Sequence, residues 1–352
     1  MASPVSETFG WPCRNGLVIA SSRDLLYPKN LTAKKSPDEL PTSGRSVRQA
    51  SKTSMTPFRE NLRGIVAMVI GNALFLINDA QVKLVSTTMP IGQLVFFRVV
   101  IAVLFIGAIV LWTGQYREIR QLWHWAIPLR CFGEIGAAFL YLYALFRMPI
   151  ANINAILQIV PLMITAAAAL FLGERVGWRR WTAIVVGFIG VLVVVRPGLA
   201  GFDAISLVAC AAMVFVTLKD FTTRLLPCYL PAMLIGGVTS AVVGASGAVY
   251  GISENWVMPG WREIALLVSA SVFVIGGYYS SVLAMRHGDI SVVAPFRYAV
   301  VIWAIILGYI IWGEVPDLPM LAGTAIIILA GIYTFSRERR LAREAAEATA
   351  GP

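Results

Sequence analysis

The chain has 352 residues, 58% of them hydrophobic and 14% charged, with a mean hydropathy of +0.74. A soluble domain carries about 25% charged residues, so this chain cannot hide its apolar side chains from water, and lipid must act as part of its solvent. The net charge of +10 does not mark a nucleic-acid binder, because Lys and Arg sit at segment ends and in tails and form no basic stripe.

Residues 1–58 are rich in Ser, Pro, Lys and Thr and read as a disordered N-terminal tail, with a natural start expected at Met55. Cys13, Cys131, Cys210 and Cys228 are scattered, and His124 and His287 lie far apart, so no spacing implies a disulfide framework or a metal site. No Walker-type Gly-x-x-x-x-Gly-Lys-[Ser/Thr] loop is present, and no cofactor is expected.

A membrane span needs roughly 20 apolar residues. Apolar runs bounded by charge, Pro or Gly predict spans at 64–84, 92–113, 125–146, 151–172, 180–196, 204–223, 231–250, 263–285, 290–312 and 318–336. The fold class is therefore all-α integral membrane, with ten transmembrane helices. A basic tail, 337–352, follows the last span.

Charged groups at membrane depth need a partner or a watery cavity. In the first span Asp79 and Lys83 are spaced i,i+4 and are expected to neutralise each other, as a structural pair or a gate. Arg98, in the second span, either holds an anionic group of a substrate or ties helices together. Arg130 and Glu134 share a face of the third span. Glu134 reads as an intrahelical ion-pair member or as a proton-titrating group.

In the fourth span Asn154 and Gln158 share a face. Asp220 and Arg224, in the sixth, repeat the pairing of Asp79 and Lys83. The eighth span offers Tyr278, and the ninth Arg297 after Pro295. The candidate substrate-binding set is Arg98, Glu134, Asn154, Gln158, Tyr278 and Arg297, each weighed against plain helix–helix bonding. Glu174 and Glu314 close their spans beside Gly and are expected to fix the loops that follow.

The second half echoes the first. Asp79, Lys83 and Pro90 match Asp220, Arg224 and Pro231 at an offset of 141. Arg147 matches Arg286 and Gln158 matches Arg297 at 139, and Gly173-Glu174 matches Gly313-Glu314 at 140. Five spans per half is an odd number, so the halves thread the membrane in opposite senses. The repeats are placed at 59–200 and 201–336. Outside the spans Arg collects on the side of the termini, as at Arg175, Arg179, Arg180 and Arg337. The other side has Arg147, Arg196 and Arg262. The termini are therefore expected in the cytoplasm.

Lys83-Leu84 through Pro90 to Phe97-Arg98, and Pro161 through Gly173-Glu174-Arg175 to Gly187 and Gly190, resemble the drug/metabolite transporter superfamily in its EamA-type branch. The resemblance spans about residues 64–336. It implies a cavity between the halves, no cofactor, and a secondary transporter moving a small organic metabolite across the bacterial inner membrane. Riboflavin or a related vitamin is the leading substrate, with an amino acid or S-adenosylmethionine as alternatives, for import or export. A membrane-embedded transferase is the remote alternative, and no His-Glu-x-x-His or Gly-x-Ser-x-Gly pattern supports it. The expected partners are a small-molecule substrate and the lipid bilayer, with no nucleic acid; a homodimer stays open.

Overall fold

The computed structural model describes residues 56–113, 124–173, 176–198, 203–227, 230, 232–287 and 290–349. Residues 1–55 of the tail read as disordered, Cys228, Glu174 and Arg175 lie outside the described residues, while residues 56–58 of that tail are helical. The helices are α1 Thr56–Val85, α2 Ile91–Thr113, α3 Ala126–Arg147, α4 Ile150–Leu157, α5 Val160–Phe171 and α6 Trp178–Val195. They continue as α7 Ile205–Arg224, α8 Ala232–Gly251, α9 Trp261–His287, α10 Ile290–Val293, α11 Ala299–Trp312 and α12 Leu318–Thr349.

Among the described residues nine helical segments are long and apolar enough to cross a membrane, with α4 and α5 counted as one. The 23-residue α2, whose apolar stretch Ile91–Phe105 is shorter, supplies the tenth. All ten expected spans are therefore helical. Two differ from expectation at their ends. Helix α1 starts at Thr56, well before residue 64, and α12 runs on as helix through most of the basic tail.

Two spans are not continuous rods. The fourth breaks at Gln158–Ile159, between α4 and α5. The ninth passes from α10 through a 3-10 turn, Ala294–Tyr298, into α11. Each break sits beside a proline, Pro161 and Pro295, which has no N–H to give the ladder and crowds the preceding turn. Backbone groups freed at membrane depth must find other partners or line a cavity.

Helix packing follows the repeat. The largest contacts are α1 with α9, α3 with α7, α2 with α8, and α6 with α12. In span numbers these are 1–8, 3–6, 2–7 and 5–10. Exchanging the halves turns the first pair into the second and leaves the last two unchanged. Small residues permit the closest approach. A Cβ on Gly190 would stand 2.9 Å from the Gly323 carbonyl oxygen, and one on Gly323 would stand 2.6 Å from that of Gly190. Hence α6 and α12 touch backbone to backbone. The end caps also match, since Gly173 and Gly313 take φ of 67° and 66°, the left-handed conformation that closes a helix on glycine.

The pseudo-symmetry fails at one place. Helix α4, the far half of the fourth span, packs on α11, the far half of the ninth. The mirror contact, α5 against α10 at the end nearer the termini, is not comparably made. Among the described residues the two broken spans thus meet at the far end.

Candidate functional site

A latch closes the far end. The Lys83 ammonium, at the end of α1, donates to Glu314 Oε1 at 2.9 Å and to the Met148 carbonyl at 2.8 Å, and lies 4.7 Å from the centre of the Trp312 ring. The other Glu314 oxygen accepts the Ile150 N–H, the first of α4, at 3.0 Å. One carboxylate thus holds a lysine from the first half and caps a helix whose N–H groups have no partners of their own. Nearby, Arg196 pairs with Asp317 and spans α6 to α12. The Arg196 guanidinium holds the Asp317 carboxyl below the usual carboxylate range. Between α2 and the chain before α9, the Gln93 amide bonds both backbone groups of Val257, and Glu254 Oε2 accepts the Gly92 N–H at 2.9 Å.

The expected Asp79–Lys83 pair is therefore not formed. Lys83 turns outward to Glu314, which offers a full charge and a place near the membrane boundary. Asp79 turns inward, where the Tyr141 hydroxyl donates to its Oδ2 at 2.6 Å and the Asn78 amide donates to its Oδ1 at 2.9 Å. Asn154 is near enough to act on the Tyr141 hydroxyl, and its Nδ2 donates to the Ile150 carbonyl at 2.9 Å. Arg98 is near enough to act electrostatically on both Asp79 and Tyr141, with no bond to either. Four helices, α1 to α4, thus converge on one polar knot. The role of Tyr141 was missed because an aromatic at helical spacing reads as packing. The clue available was an acid with a hydroxyl-bearing residue in the neighbouring-but-one span.

A second knot lies nearer the termini. Arg130 pairs with Glu134 at 3.2 Å and its Nε donates to Thr223 at 2.9 Å. Lys219 stands 3.9 Å from Glu134 and 3.2 Å from Asp220. Glu134 is thus the intrahelical ion-pair partner, joined by a cation from α7. The expected Asp220–Arg224 pair gives way to Asp220–Lys219, the adjacent residue, while Arg224 at the exposed end of α7 faces outward.

Gln158 and Arg297 sit at the two breaks but are not brought face to face by any bond among the described residues. Gln158 is 7% exposed and its amide donates to the Asn154 carbonyl at 3.3 Å. The side chain of Arg297 is exposed. The turn that carries it is held from the other half. Asn72 of α1, itself buried, donates to the carbonyls of Phe296 and Arg297 at 3.0 and 3.2 Å. Tyr278 is 65% exposed and stands edge-on to Phe75 with ring centres 5.2 Å apart. An arginine in the first half of a span cannot face lipid cheaply, so the exposed Arg297 side chain calls for a polar neighbour or water.

Residues 62–196 match the EamA-like transporter family. That stretch is an EamA-like transporter domain. Among relatives, the pseudopaline exporter of Pseudomonas aeruginosa is 28% identical over 273 residues, covering 76% of this chain and 94% of its own. The S-adenosylmethionine uptake transporter of Rickettsia prowazekii is 27% identical, covering 79% and 94%. The riboflavin transporter of Vibrio cholerae is 27% identical, covering 79% and 92%. A solved crystal structure of another protein has the same fold, with a TM-score of 0.55 at 21% identity over 81% of this chain and 99% of that one. The EamA-like match and these transporter relatives make the chain a multi-pass membrane transporter of small molecules, and not an enzyme.

Proposed function

We propose that this protein is a secondary transporter that carries a small organic metabolite across a bacterial inner membrane by alternating access between halves 59–200 and 201–336. The observation that carries the reading is the pair of broken spans. Both the fourth and the ninth are interrupted at repeat-equivalent positions, and their far halves, α4 and α11, pack on each other. The polar groups at the breaks, Gln158 and Arg297, together with Arg98 and Tyr278, are the proposed substrate contacts. The Arg distribution supports cytoplasmic termini, and the proposed opening faces that side. Lys83–Glu314 and Arg196–Asp317 hold the opposite end closed in this state. The whole pathway lies within one chain, so a homodimer would package two pathways.

Exposed aromatic side chains, Tyr278 edge-on to Phe75 and, on the ninth span, Phe296, suit a flat ligand. Together with the Vibrio cholerae relative, this makes riboflavin the first substrate to test. S-adenosylmethionine is the second, from the Rickettsia prowazekii relative. The test is growth rescue of riboflavin auxotrophs, and of cells unable to make S-adenosylmethionine, by the expressed protein. It is paired with labelled uptake into proteoliposomes. Rescue is expected with one of them and lost in Arg297→Ala at unchanged protein level. Well-folded protein that exchanges neither compound, nor any member of an amino-acid panel, would refute the reading.

A further inference from the structure

Three carboxylates lie a turn or more inside the described spans: Asp79, Glu134 and Asp220. Two are compensated in place. Glu134 has Arg130 at 3.2 Å and Lys219 at 3.9 Å, and Asp220 has Lys219 at 3.2 Å. Glu314, just beyond α11, has Lys83 at 2.9 Å. Asp79 differs from all of them. Among the described residues no Lys or Arg nitrogen lies within 4.0 Å of it, and both groups that bond it, the Tyr141 hydroxyl and the Asn78 amide, are neutral.

The repeat isolates the difference. Asn78-Asp79 and Lys219-Asp220 occupy equivalent positions at an offset of 141. In both, the residue before the aspartate donates to it, at 2.9 and 3.2 Å. The second half supplies an ammonium there and the first half a neutral amide. One acid of the mirrored pair is permanently neutralised, and the other is left able to change charge.

The neighbours allow that change. The charged and titratable groups around Asp79 are Tyr141 from α3 and Arg98 from α2, with Asn154 of α4 behind Tyr141. Lys83, one turn along α1, is taken by Glu314. From α9, the ordered polar contact to this stretch of α1 is Ser269, which accepts from Gln81 at 3.0 Å. Asn78 is 2% exposed and its Oδ1 has no hydrogen-bond partner. Buried acceptors are normally satisfied. A protonated Asp79 supplies the missing O–H once the Asn78 amide turns over, because a carboxylic acid donates where a carboxylate only accepts.

Building on the transporter reading above, we propose that Asp79, and not Glu134, is the carboxyl that binds and releases the coupling proton in each transport cycle. On one side of the membrane the carboxylate takes up one proton, and on the other the carboxylic acid gives it back. No electron moves and no covalent bond to substrate forms. Protonation removes the charge that accepts from Tyr141 and so loosens α1 from α3, the helices the far-end latch also joins.

Two measurements test this on the full-length protein. The first is infrared difference spectroscopy of purified protein in lipid as the pH is lowered. A protonated-carboxyl band that shifts in heavy water is expected in the wild type and in Glu134→Gln, and is expected to vanish in Asp79→Asn. Tyr141→Phe keeps the band and moves its midpoint, showing that the fold survives changes at this knot. A band that persists in Asp79→Asn, or that only Glu134→Gln removes, overturns the assignment.

The second uses proteoliposomes with riboflavin and S-adenosylmethionine as probes. A pH gradient is expected to drive accumulation above equilibrium in the wild type, whereas Asp79→Asn lets the probe only equilibrate. Accumulation driven by pH in Asp79→Asn, or driven by a sodium gradient alone in the wild type, overturns the proposal. If the wild type moves neither probe, the substrate choice fails, and the infrared titration still decides the proton site.

Discussion

Replacing Glu314 by Gln should open the far end. The side chains of Lys83 and Glu314 are 10% and 20% exposed, and their charged atoms are 2.9 Å apart. At an effective dielectric constant near 20 the attraction is about 6 kcal/mol before desolvation is subtracted. Removing one partner of a buried pair costs about 3–5 kcal/mol, mostly for the charge left behind. Here Lys83 keeps the Met148 carbonyl and the Trp312 ring, so about 2–3 kcal/mol is the working figure. If that loss falls on the closed state alone, the closed-to-open ratio drops roughly 30- to 150-fold, at 1.4 kcal/mol per tenfold.

The assay is maleimide labelling of a single cysteine placed at Asn152, in the small far-end cavity lined by Pro149, Asn152, Gly308 and Glu314. Labelling from the far side should quicken in Glu314→Gln and in Lys83→Met. The double variant Lys83→Met/Glu314→Gln should be milder than the two single effects summed, because neither charge is then left alone. Unchanged labelling in both single variants would refute the latch, as would strictly additive effects.

Other expectations are smaller. Arg196 lowers the Asp317 pKa, so this pair stabilises the fold above the ordinary carboxylate pKa of about 3.9, and the contribution fades as pH falls through the lowered value. The melting temperature of Asp317→Asn should therefore lie slightly below wild type near neutrality and converge with it in acid. Asp317 is half exposed, which limits the effect to about 1 kcal/mol. Gly323→Ala should lower thermal stability by about 1–3 kcal/mol through the clash with the Gly190 carbonyl, whereas Gly107→Ala, with open space around its Cβ, should be neutral in the same melt. Asn72→Ala should slow labelled uptake more than it lowers the melting temperature, since single hydrogen bonds between spans are worth about 0.6 kcal/mol on average. A melting temperature that collapses without a matching loss of transport would count against that.

The spans were legible because hydropathy over twenty residues is a bulk property, and the repeat was legible because it preserves unusual residues at a fixed offset. The spacing of Asp79 and Lys83 correctly put them on one helix, but spacing along a helix says nothing of what the next helix offers. Glu314 stands more than two hundred positions away and outcompetes the local partner. The same holds for Asp220, which takes Lys219 although Arg224 has the expected i,i+4 register. Pro161 and Pro295 marked both breaks openly. A proline inside a hydrophobic run is compatible with a kink as well as with a break, so sequence alone leaves the two open. Glu314 was expected to tie its own loop, and it caps α4 across the bundle, a role that needs the fold to be seen.

The two breaks are not supported alike. The fourth span is held from within its own half, through Asn154 and Gln158, whereas the ninth borrows Asn72 from the first span. At the breaks themselves the dependence runs one way, although the start of α4 takes its Glu314 cap from the second half. Expressed as a separate chain, the first half keeps the side-chain bonds at its break and loses only that cap. The second half alone presents the Phe296 and Arg297 carbonyls to hydrocarbon with no side-chain donor. Halves made as two polypeptides should therefore accumulate unequally, the second surviving only beside the first, so each copy of the second half needs a first half to shelter it.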